Sequence, residues 1–417
     1  MNKILNAPYD VRGELPNLAS KLEKKDKKII YCNIGNPLAL EPNPIIKYRE
    51  FISNQILLNS NENIVLKDIG SYSPSIGFSQ IINSVQDFIN TRDKYIYKNE
   101  INYLTNGATE GINTILKIYL WNEKDVILLP KPAYPIYHAY ADIFGSSVEY
   151  YDLDENWKIN PLNILNKINY IKKLGKNVSL LVVINPNNPT GSISSYNQLK
   201  EVALISQKFF IPLIADEVYM ENDLNNQFIS MRKIFIQNNI KNKLYSLHSC
   251  SKGFIGECGF RGGYINALNL EEIDKCTIEK LLSMRLSPNS IGQLMVYAMT
   301  KLNNDQEVIN QIKEKKEKYK EKLEYLYREL NNINYKCVKP EGAMYIFPKI
   351  PYIKRIDELS KKENKEYDFI WCREFLLQTG VCLIPGSGFR KSGYFRMTVL
   401  PTLEDLQYFI KSLKSFK

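Results

Sequence analysis

The feature that most constrains the fold of this 417-residue chain is a series of short apolar runs separated by helical patterns. Strands that alternate with helices predict a parallel sheet in an α/β fold. Ligands of such sheets bind at the carboxyl ends of the strands, so the polar clusters that follow several of the runs should converge. The predicted strands are INYLT (101–105), DVILLP (125–130), SLLVVIN (179–185), FIPLIAD (210–216) and KLYSLHS (243–249).

The pattern changes beyond about residue 300. In KEKKEKYKEKLEYLYREL, Tyr319, Leu323, Leu326 and Leu330 recur at helical spacing between interleaved lysines and glutamates, which predicts an amphipathic helix with a solvated face. CVKPEGAMYIFPKI, VCLIPGSGF and YFRMTVLP then follow as strand candidates. This part of the chain is predicted to form a smaller α+β domain.

Composition argues against several functional classes. The net charge of +10 comes from lysines spread along the chain among acids, which is atypical of a nucleic-acid surface. Seven cysteines without a CxxC pair fit a reducing compartment, and only two histidines, His138 and His248, exclude a zinc site built on several histidines. A Ser-His-Asp triad would have to use one of those two. No apolar run reaches about 18 residues, so we expect no membrane span.

Two of the polar clusters are typical of rigid loops that follow strands. YLTNGATEGINTILKIYL places Gly107 and Thr109 at the start of a helix whose free N–H groups suit a phosphate, although a simple capped helix explains the same residues. In VVINPNNPTG, two Asn-Pro steps hold Asn188 as a rigid polar group, and an ordinary turn is the alternative.

Two further clusters carry charge. IPLIADEVY places Asp216 and Glu217 at the end of an apolar strand, where a buried acid needs a cationic partner; an ion pair with any lysine would satisfy it. HSCSKGFIGECGFRGG holds Lys252 and Arg261 among small residues, which predicts a loop that brings cations close to an anion. Together the clusters supply the groups that a pyridine-aldehyde phosphate cofactor requires.

At this point the chain resembles the pyridoxal-phosphate-dependent aminotransferases of fold type I, and among them the alanine aminotransferases. The resemblance runs from about Tyr9 to Pro401 in the order of that family's motifs. It implies a large three-layer domain with a mainly parallel central sheet over residues 46–300. Residues 1–45 and 301–417 would form an N-terminal arm and a small α+β domain. The motifs are YDVRGELP, NIGNP, GSYSPSIG, INPNNPTG, ADEVY, HSCSKGFIGECGFRGGY, PEGAMY and PGSGF...YFRMTVLP.

The resemblance also implies how pyridoxal 5'-phosphate is held. Lys252 forms the Schiff base with the cofactor's aldehyde, and Arg261 pairs with its phosphate. These assignments suit the two side chains, since a lysine amine can become a neutral nucleophile whereas arginine stays charged and offers a planar fork. Ser249, Ala108 and Thr109 would complete the phosphate site.

Further residues are assigned to the cofactor ring by the same resemblance. Asp216 pairs with the pyridinium nitrogen and keeps it protonated, while Tyr219 and Asn188 hydrogen-bond the phenolate oxygen. Tyr134, in PAYPIY, stacks on the face of the ring, or else is a core tyrosine. Lys252, Asp216 and Tyr219 are therefore the predicted catalytic residues.

The substrate is assigned to Arg396, which matches the arginine that clamps an α-carboxylate, with Gly35 near the same group. Tyr72 is expected to reach the phosphate of a neighbouring subunit in a homodimer. Arg12 either meets a distal carboxylate or fastens the N-terminal arm to the body, and we interpret Cys258 as a small packing residue.

The implied reaction is a ping-pong transamination of L-alanine with 2-oxoglutarate to pyruvate and L-glutamate through a Lys252 aldimine. Another specificity, for aspartate or aromatic substrates, and a pyridoxal-phosphate lyase on the same fold are alternatives. A regulatory or nucleic-acid-binding protein with an aminotransferase-like domain is a further alternative from another class. Because few residues precede the resemblance, the sequence predicts a cytoplasmic protein without a presequence.

Overall fold

The computed structural model describes residues 13–57 and 69–416. The strands are β1 (Ile30–Tyr31), β2 (Glu100–Thr105), β3 (Asp125–Lys131), β4 (Ser147–Asp152), β5 (Asn177–Ile184), β6 (Leu213–Asp216), β7 (Leu244–Ser249), β8 (Gly263–Leu268), β9 (Tyr345–Ile346), β10 (Val381–Cys382), β11 (Ile384–Pro385) and β12 (Phe395–Thr398). The helices are α1 (Glu14–Glu23), α2 (Pro37–Leu40), α3 (Ile46–Ile56), α4 (Ser79–Asp93), α5 (Ala108–Tyr119), α6 (Ile136–Phe144), α7 (Pro161–Lys173), α8 (Tyr196–Phe209), α9 (Met231–Gln237), α10 (Glu272–Ser283), α11 (Ser290–Lys301), α12 (Gln306–Asn332), α13 (Lys354–Glu363), α14 (Tyr367–Thr379) and α15 (Leu403–Ser415).

A seven-stranded sheet with the order β2-β8-β7-β6-β5-β3-β4 forms the centre of the fold. Its strands run parallel except β8, which is antiparallel to both of its neighbours. The register places Ile184 of β5 opposite Asp216, and Asp216 opposite Leu247 of β7. The carboxyl ends of the middle strands therefore meet at one edge, as the sequence predicts.

Helices cover both faces of this sheet, which gives it three layers. Along β3, Ile127 and Leu129 belong to one apolar cluster whereas Val126 and Leu128 belong to another on the opposite face. Because both faces are buried, these strands are continuous apolar runs rather than alternating patterns. The predicted fold class, a mainly parallel sheet in a three-layer α/β unit, is confirmed.

All five strands predicted in the central part of the chain are present, and one of them begins later than predicted. Two further strands of the seven-stranded sheet were not predicted. The strand predicted for residues 210–216 begins at Leu213, because Phe210 ends α8 in a left-handed conformation and Pro212 lacks the N–H that a ladder needs. The sequence prediction missed β4 and β8. Most residues of β4 are only half-buried, so it lacks the continuous apolar signature.

The C-terminal part of the chain is built around the long helix α12. Asp305 caps it by accepting hydrogen bonds from the backbone N–H groups of Glu307 and Val308. The four apolar residues that predicted this helix are buried, which confirms its orientation. Next to it β11, β12 and β9 form an antiparallel sheet, and β1 pairs with β10. The four buried residues of the predicted helical stripe are Tyr319, Leu323, Leu326 and Leu330.

The domain boundaries at residues 46 and 300 stay a prediction.

A buried ionic cluster ties α4 and β2 to α9. The Arg232 side chain is fully buried, with Nε and Nη2 donating to Glu100 at 2.7 and 2.6 Å and Nη1 donating to Asp93 at 3.1 Å. Removal of one partner from such a cluster leaves buried charge without compensation.

No helix in the described part of the chain is both long and apolar enough to cross a membrane.

We expect Arg232→Met to lower the free energy of unfolding by about 3–5 kcal/mol, because the buried Glu100 loses its cation and Asp93 keeps only its pair with Arg92. The measurement is urea denaturation at one fixed protein concentration. Lys361→Met is the matched control, since the Lys361–Asp357 pair lies at the surface with the lysine 75% exposed, and it should change the value by less than about 1 kcal/mol. Equal effects of the two substitutions would contradict this account.

Candidate active site

The carboxyl ends of the middle strands open into a cavity of about 660 Å³. The residues predicted from the sequence come from distant parts of the chain, and all but one of them line this cavity. Tyr72 is the exception; its side chain is 77% exposed and lies outside. The predicted residues on the wall are Gly35, Ala108, Thr109, Tyr134, Asn188, Asp216, Tyr219, Ser249, Lys252, Arg261 and Arg396.

One end of the cavity is suited to an anion, and we call it the anion corner. Its residues are Ala108, Thr109, Ser249 and Arg261. Helix α5 begins at Ala108 after Gly107, whose φ of 76° favours glycine. Arg261 donates from Nη2 to the carbonyl of Asn106 and from Nη1 to the carbonyl of Cys258, both at 3.2 Å, which holds its guanidinium beside the helix start. Free N–H groups, a guanidinium and the nearby hydroxyl of Ser249 are the donors that a phosphate requires.

Gly107 is needed for this arrangement. A Cβ atom at that position would lie 2.6 Å from Arg261 Nη2. The absence of a side chain therefore lets the guanidinium approach the helix N-terminus.

The buried acid Asp216 lies at the end of β6 and is 3% exposed. Its Oδ2 accepts a hydrogen bond from the hydroxyl of Tyr137 at 2.9 Å, and Oδ1 accepts a long one from the N–H of Val218 at 3.5 Å. Burial raises the pKa of Asp216 to about 6, and these hydrogen bonds oppose the rise. Among the described residues no lysine or arginine forms an ion pair with Asp216, so the site fits a cationic group of a ligand, such as a pyridinium nitrogen.

A chain of hydrogen bonds joins the ring side of the cavity to the substrate side. Asn188 Nδ2 donates to the hydroxyl of Tyr219 at 3.4 Å, and Arg396 Nη1 donates to Asn188 Oδ1 at 3.0 Å. The hydroxyls of Tyr219 and Tyr345 lie 3.2 Å apart. Burial raises the pKa of Tyr219 well above its ordinary value, so this phenol stays a hydrogen-bond donor.

Arg396 is held firmly but keeps donor capacity. Its Nη2 donates to the carbonyl of Asn33 at 2.9 Å, and its guanidinium lies 4.1 Å from the ring centroid of Tyr345 and 5.0 Å from that of Phe389. The side chain is 5% exposed, and its buried Nε has no hydrogen-bond partner among the residues that the structure describes. A buried donor without an acceptor fits a ligand carboxylate.

Lys252 reaches into the same cavity from the loop after β7. Its Nζ donates to the carbonyl of Gly35 at 2.5 Å. A Cβ atom on Gly35 would lie 2.2 Å from the hydroxyl oxygen of Tyr345, so a larger residue would collide there. The amine therefore faces the same space as the carboxylate of Asp216 and the guanidinium of Arg396.

The remaining predicted residues have different outcomes. Tyr134 is half-buried on the cavity wall. Cys258 also lines the cavity, where its Sγ contacts the carbonyl of Ser251 at 2.9 Å and burial raises the thiol pKa, which disfavours a reactive thiolate. Arg12 lies outside the described residues, so its two suggested roles stay open.

Sequence reasoning missed four residues that support the site: Tyr137, Asn33, Tyr345 and Phe389. Tyr137 follows Tyr134 by three residues in the quoted motif PAYPIY, where no role had been assigned to it. The other three lie inside quoted motifs, NIGNP, PEGAMY and PGSGF, in which no role had been assigned to them. Their roles depend on contacts with Arg396 and Tyr219 from distant elements.

Residues 48–413 match the family "Aminotransferase class I and II". The chain belongs to this family. Its members are pyridoxal-phosphate-dependent enzymes, and the chain is accordingly a transaminase. This cofactor fits the donors of the anion corner, the carboxylate of Asp216 and the amine of Lys252. The predicted family and cofactor are thus confirmed.

Two curated relatives and one solved structure show which aminotransferases the chain is similar to. The chain is 34% identical to a probable mitochondrial alanine aminotransferase of Dictyostelium discoideum, over 99% of this chain and 87% of the relative. It is 32% identical to glutamate–glyoxylate aminotransferase 2 of Arabidopsis thaliana, over 99% and 94%. Its fold is similar to an alanine aminotransferase from Pyrococcus furiosus, with a TM-score of 0.85, 25% identity and coverage of 100% and 98%.

The predicted cytoplasmic location is wrong by this comparison. Three relatives at 31–35% identity, from Dictyostelium discoideum, Saccharomyces cerevisiae and Arabidopsis thaliana, are named mitochondrial alanine aminotransferases. The prediction had rested on the few residues that precede the first motif. The length of that segment is too weak a physical argument to assign a compartment.

We expect Gly107→Ala to weaken the binding of pyridoxal 5'-phosphate by about tenfold or more, because the new methyl group displaces Arg261 from the anion corner. Equilibrium titration followed by absorbance measures this affinity. Gly175→Ala is the matched control, since Gly175 also has a positive φ of 69° but open space around it. Both substitutions carry a backbone strain of about 1 kcal/mol, so a similar affinity in both variants would contradict the role of Arg261.

Proposed function

We propose that this protein transfers an amino group between L-alanine and 2-oxoglutarate, giving pyruvate and L-glutamate reversibly, with pyridoxal 5'-phosphate in the cavity described above. The observation that carries the proposal is that Lys252, Asp216 and Arg396 face one cavity. Such a reaction requires three groups: an amine, a buried carboxylate and a buried guanidinium with an open donor. In the described part of the chain no lysine or arginine forms an ion pair with this carboxylate.

The bound cofactor supplies an electron sink for the carbon from which a proton is removed. Protein side chains move the proton, keep the ring nitrogen protonated and orient the ring. Lys252 Nζ would hold the cofactor at its aldehyde carbon and, once free, would take the proton from the substrate α-carbon as general base and deliver it as general acid to the carbon that had carried the aldehyde. Asp216 holds the proton on the ring nitrogen. Tyr219 and Asn188 donate to the ring oxygen and so orient the ring.

Arg396 binds the α-carboxylate of every substrate, which fixes the α-carbon near Lys252. The ordered contacts of its guanidinium to Asn33 and Asn188 restrict the direction from which a carboxylate can approach. The two half-reactions use one site in turn, so the same wall must accept a methyl side chain and a charged propionate. A ping-pong cycle follows from this shared use.

The substrate pair is the less constrained part of the proposal. The alanine assignment is supported by the names of several relatives and by the motifs YDVRGELP and GECGFRGGY. The Arabidopsis relative, named for glutamate and glyoxylate, favours glyoxylate as a second acceptor. Aspartate or aromatic specificity, or a lyase reaction, remain the outcomes against which the proposal is tested.

We expect L-alanine and L-glutamate to convert the bound cofactor to its amino form at least about tenfold faster than aspartate or aromatic amino acids do. Each amino acid is added separately to the purified holoenzyme, and the absorbance spectrum is followed at one pH. Lys252→Ala, the control for the chemistry, should lose the absorbance of the lysine-bound cofactor and show no turnover.

Faster conversion by aspartate or aromatic amino acids would overturn the alanine assignment while leaving a transaminase. Release of product without a transferred amino group would instead indicate a lyase. If borohydride reduction still labels the Lys252→Ala variant at another lysine, the assignment of Lys252 itself is wrong.

We also propose a homodimer in which Tyr72 completes the phosphate site of the neighbouring subunit. Tyr72 is exposed and outside its own cavity, which supports a role toward another chain. Its motif, GSYSPSIG, matches the family motif that carries this residue. The proposal implies that each subunit alone has an incomplete site.

Mixed dimers test this arrangement. Lys252→Ala and Tyr72→Ala should each be nearly inactive, whereas unfolding and refolding them together should restore roughly a quarter of wild-type activity, because half of the dimers then contain one intact site. No restoration would place Tyr72 in its own subunit's site. Light scattering at the assay concentration must show a dimer, and an active monomer would overturn the proposal.

A further inference from the structure

His248 lies directly behind the active site but does not line its cavity. It is 2% exposed in β7, between Leu247, which pairs with Asp216, and Ser249, which lines the anion corner. In the part of the chain that the structure describes, it belongs to no cluster of histidine, cysteine and acidic residues that could hold a metal ion. A polar ring buried in the middle of a sheet needs partners, and its partners are oxygen atoms on both sides.

The two ring nitrogens face two acceptors. Nδ1 lies 3.2 Å from the carbonyl oxygen of Glu217, and Nε2 lies 2.8 Å from Oε1 of Glu221. The second contact has the distance of an ion pair but is not a hydrogen bond in the structure. Because a carbonyl oxygen only accepts, Nδ1 carries a proton. A bare Nε2 at 2.8 Å from a carboxylate oxygen would set two lone pairs against each other, so this contact favours a proton on Nε2 as well.

With both nitrogens protonated, His248 would be a buried cation among acids. Its positive charge lowers the pKa of Asp216 and of Glu217, against the burial that raises them to about 6 and about 7. Arg92 acts on Glu217 from α4, and the ring of Tyr264 packs against the imidazole from β8 at 5.5 Å. Lys252 is the other cation that acts on Asp216.

The same histidine connects the two segments that carry the cofactor residues. Segment 216–222 holds Asp216 and Tyr219, and segment 248–253 holds Ser249 and Lys252. Besides the contacts of His248, Asn222 Oδ1 accepts from the N–H of Gly253 at 2.9 Å. The Glu221 carboxylate packs so closely on Gly253 that a Cβ atom there would lie 3.0 Å from Oε2.

We propose that His248, paired with Glu221, is a positioning residue that joins these two segments and supplies positive charge behind Asp216. The inference rests on the proposed cofactor site, because Asp216 must be ionised to hold the proton of the ring nitrogen. His248 acts through Asp216 and does not touch the cofactor or the substrate. Its role should therefore be visible in the protonation of the protein as well as in cofactor binding.

The first measurement is the protonation of His248 in the apoprotein by nitrogen NMR of isotope-labelled histidine near neutral pH. The chain has only two histidines, so His138→Asn assigns the two sets of signals. We expect both ring nitrogens of His248 to be protonated in the wild-type protein, and Nε2 to lose its proton in Glu221→Gln. A neutral wild-type ring with a bare Nε2 overturns the inference, whatever the activity of the enzyme.

The second measurement is the affinity for pyridoxal 5'-phosphate at two pH values. Without the positive charge of His248 the pKa of Asp216 rises further, so more of the carboxyl group is protonated near pH 6 and little of it at higher pH. We expect His248→Asn and Glu221→Gln to bind the cofactor about tenfold more weakly than wild type at about pH 6, and less than about twofold more weakly at about pH 8.5. Asparagine keeps a donor for the Glu217 carbonyl, and Glu221→Gln leaves the histidine in place should the first variant fold poorly.

His138→Asn is the matched control, since the His138 ring contacts Asp142, Tyr150 and Arg390 rather than Glu217 or Glu221, and it should show no pH-dependent loss. Equal losses at both pH values, or none, overturn the role of His248 while wild-type binding upholds the cofactor site. Failure of the wild-type protein to bind the cofactor overturns the proposed function and this inference with it.

Discussion

The structure of the site depends on one costly arrangement, a carboxylate buried at the end of a central strand that no lysine or arginine of residues 13–57 and 69–416 pairs with. Asp216 is held by the hydroxyl of Tyr137 and a backbone N–H, which orient it but do not neutralise it. Isolated carboxylates are unfavourable inside a protein unless a cation or a proton compensates them. A cationic group of a ligand in the cavity beside Asp216 would compensate it from one side, and the proposed charge of His248 would do so from behind.

The sheet explains why this carboxylate can be positioned so well. Parallel strands buried on both faces form a rigid base, and their carboxyl ends present Asp216, Ser249 and the loop of Lys252 at one edge. The reversed strand β8 contributes Gly263, which pairs with both Thr105 and Ser249. The anion corner is therefore assembled at three neighbouring strand ends.

The sequence anticipated a large share of the site because several of its residues have strong local signals. A lysine and an arginine among glycines, and an acid at the end of an apolar run, are unusual enough to be noticed without a structure. The resemblance to aminotransferases then assigned their roles. Tyr345, Asn33 and Phe389 could not be assigned in this way, since an aromatic or amide in a motif carries no local signal of which distant side chain it contacts.

By itself, the sequence determined the α/β class, the positions of the main strands and the helix α12, because hydrophobic periodicity is a local property of the chain. It also determined which groups are available for the chemistry. Only the tertiary structure decided that Asn188 connects Arg396 to Tyr219, and that His248 lies between Glu217 and Glu221 behind Asp216. Such contacts join residues distant in the chain, and their geometry is set by how sheets and helices pack rather than by any pattern along the sequence.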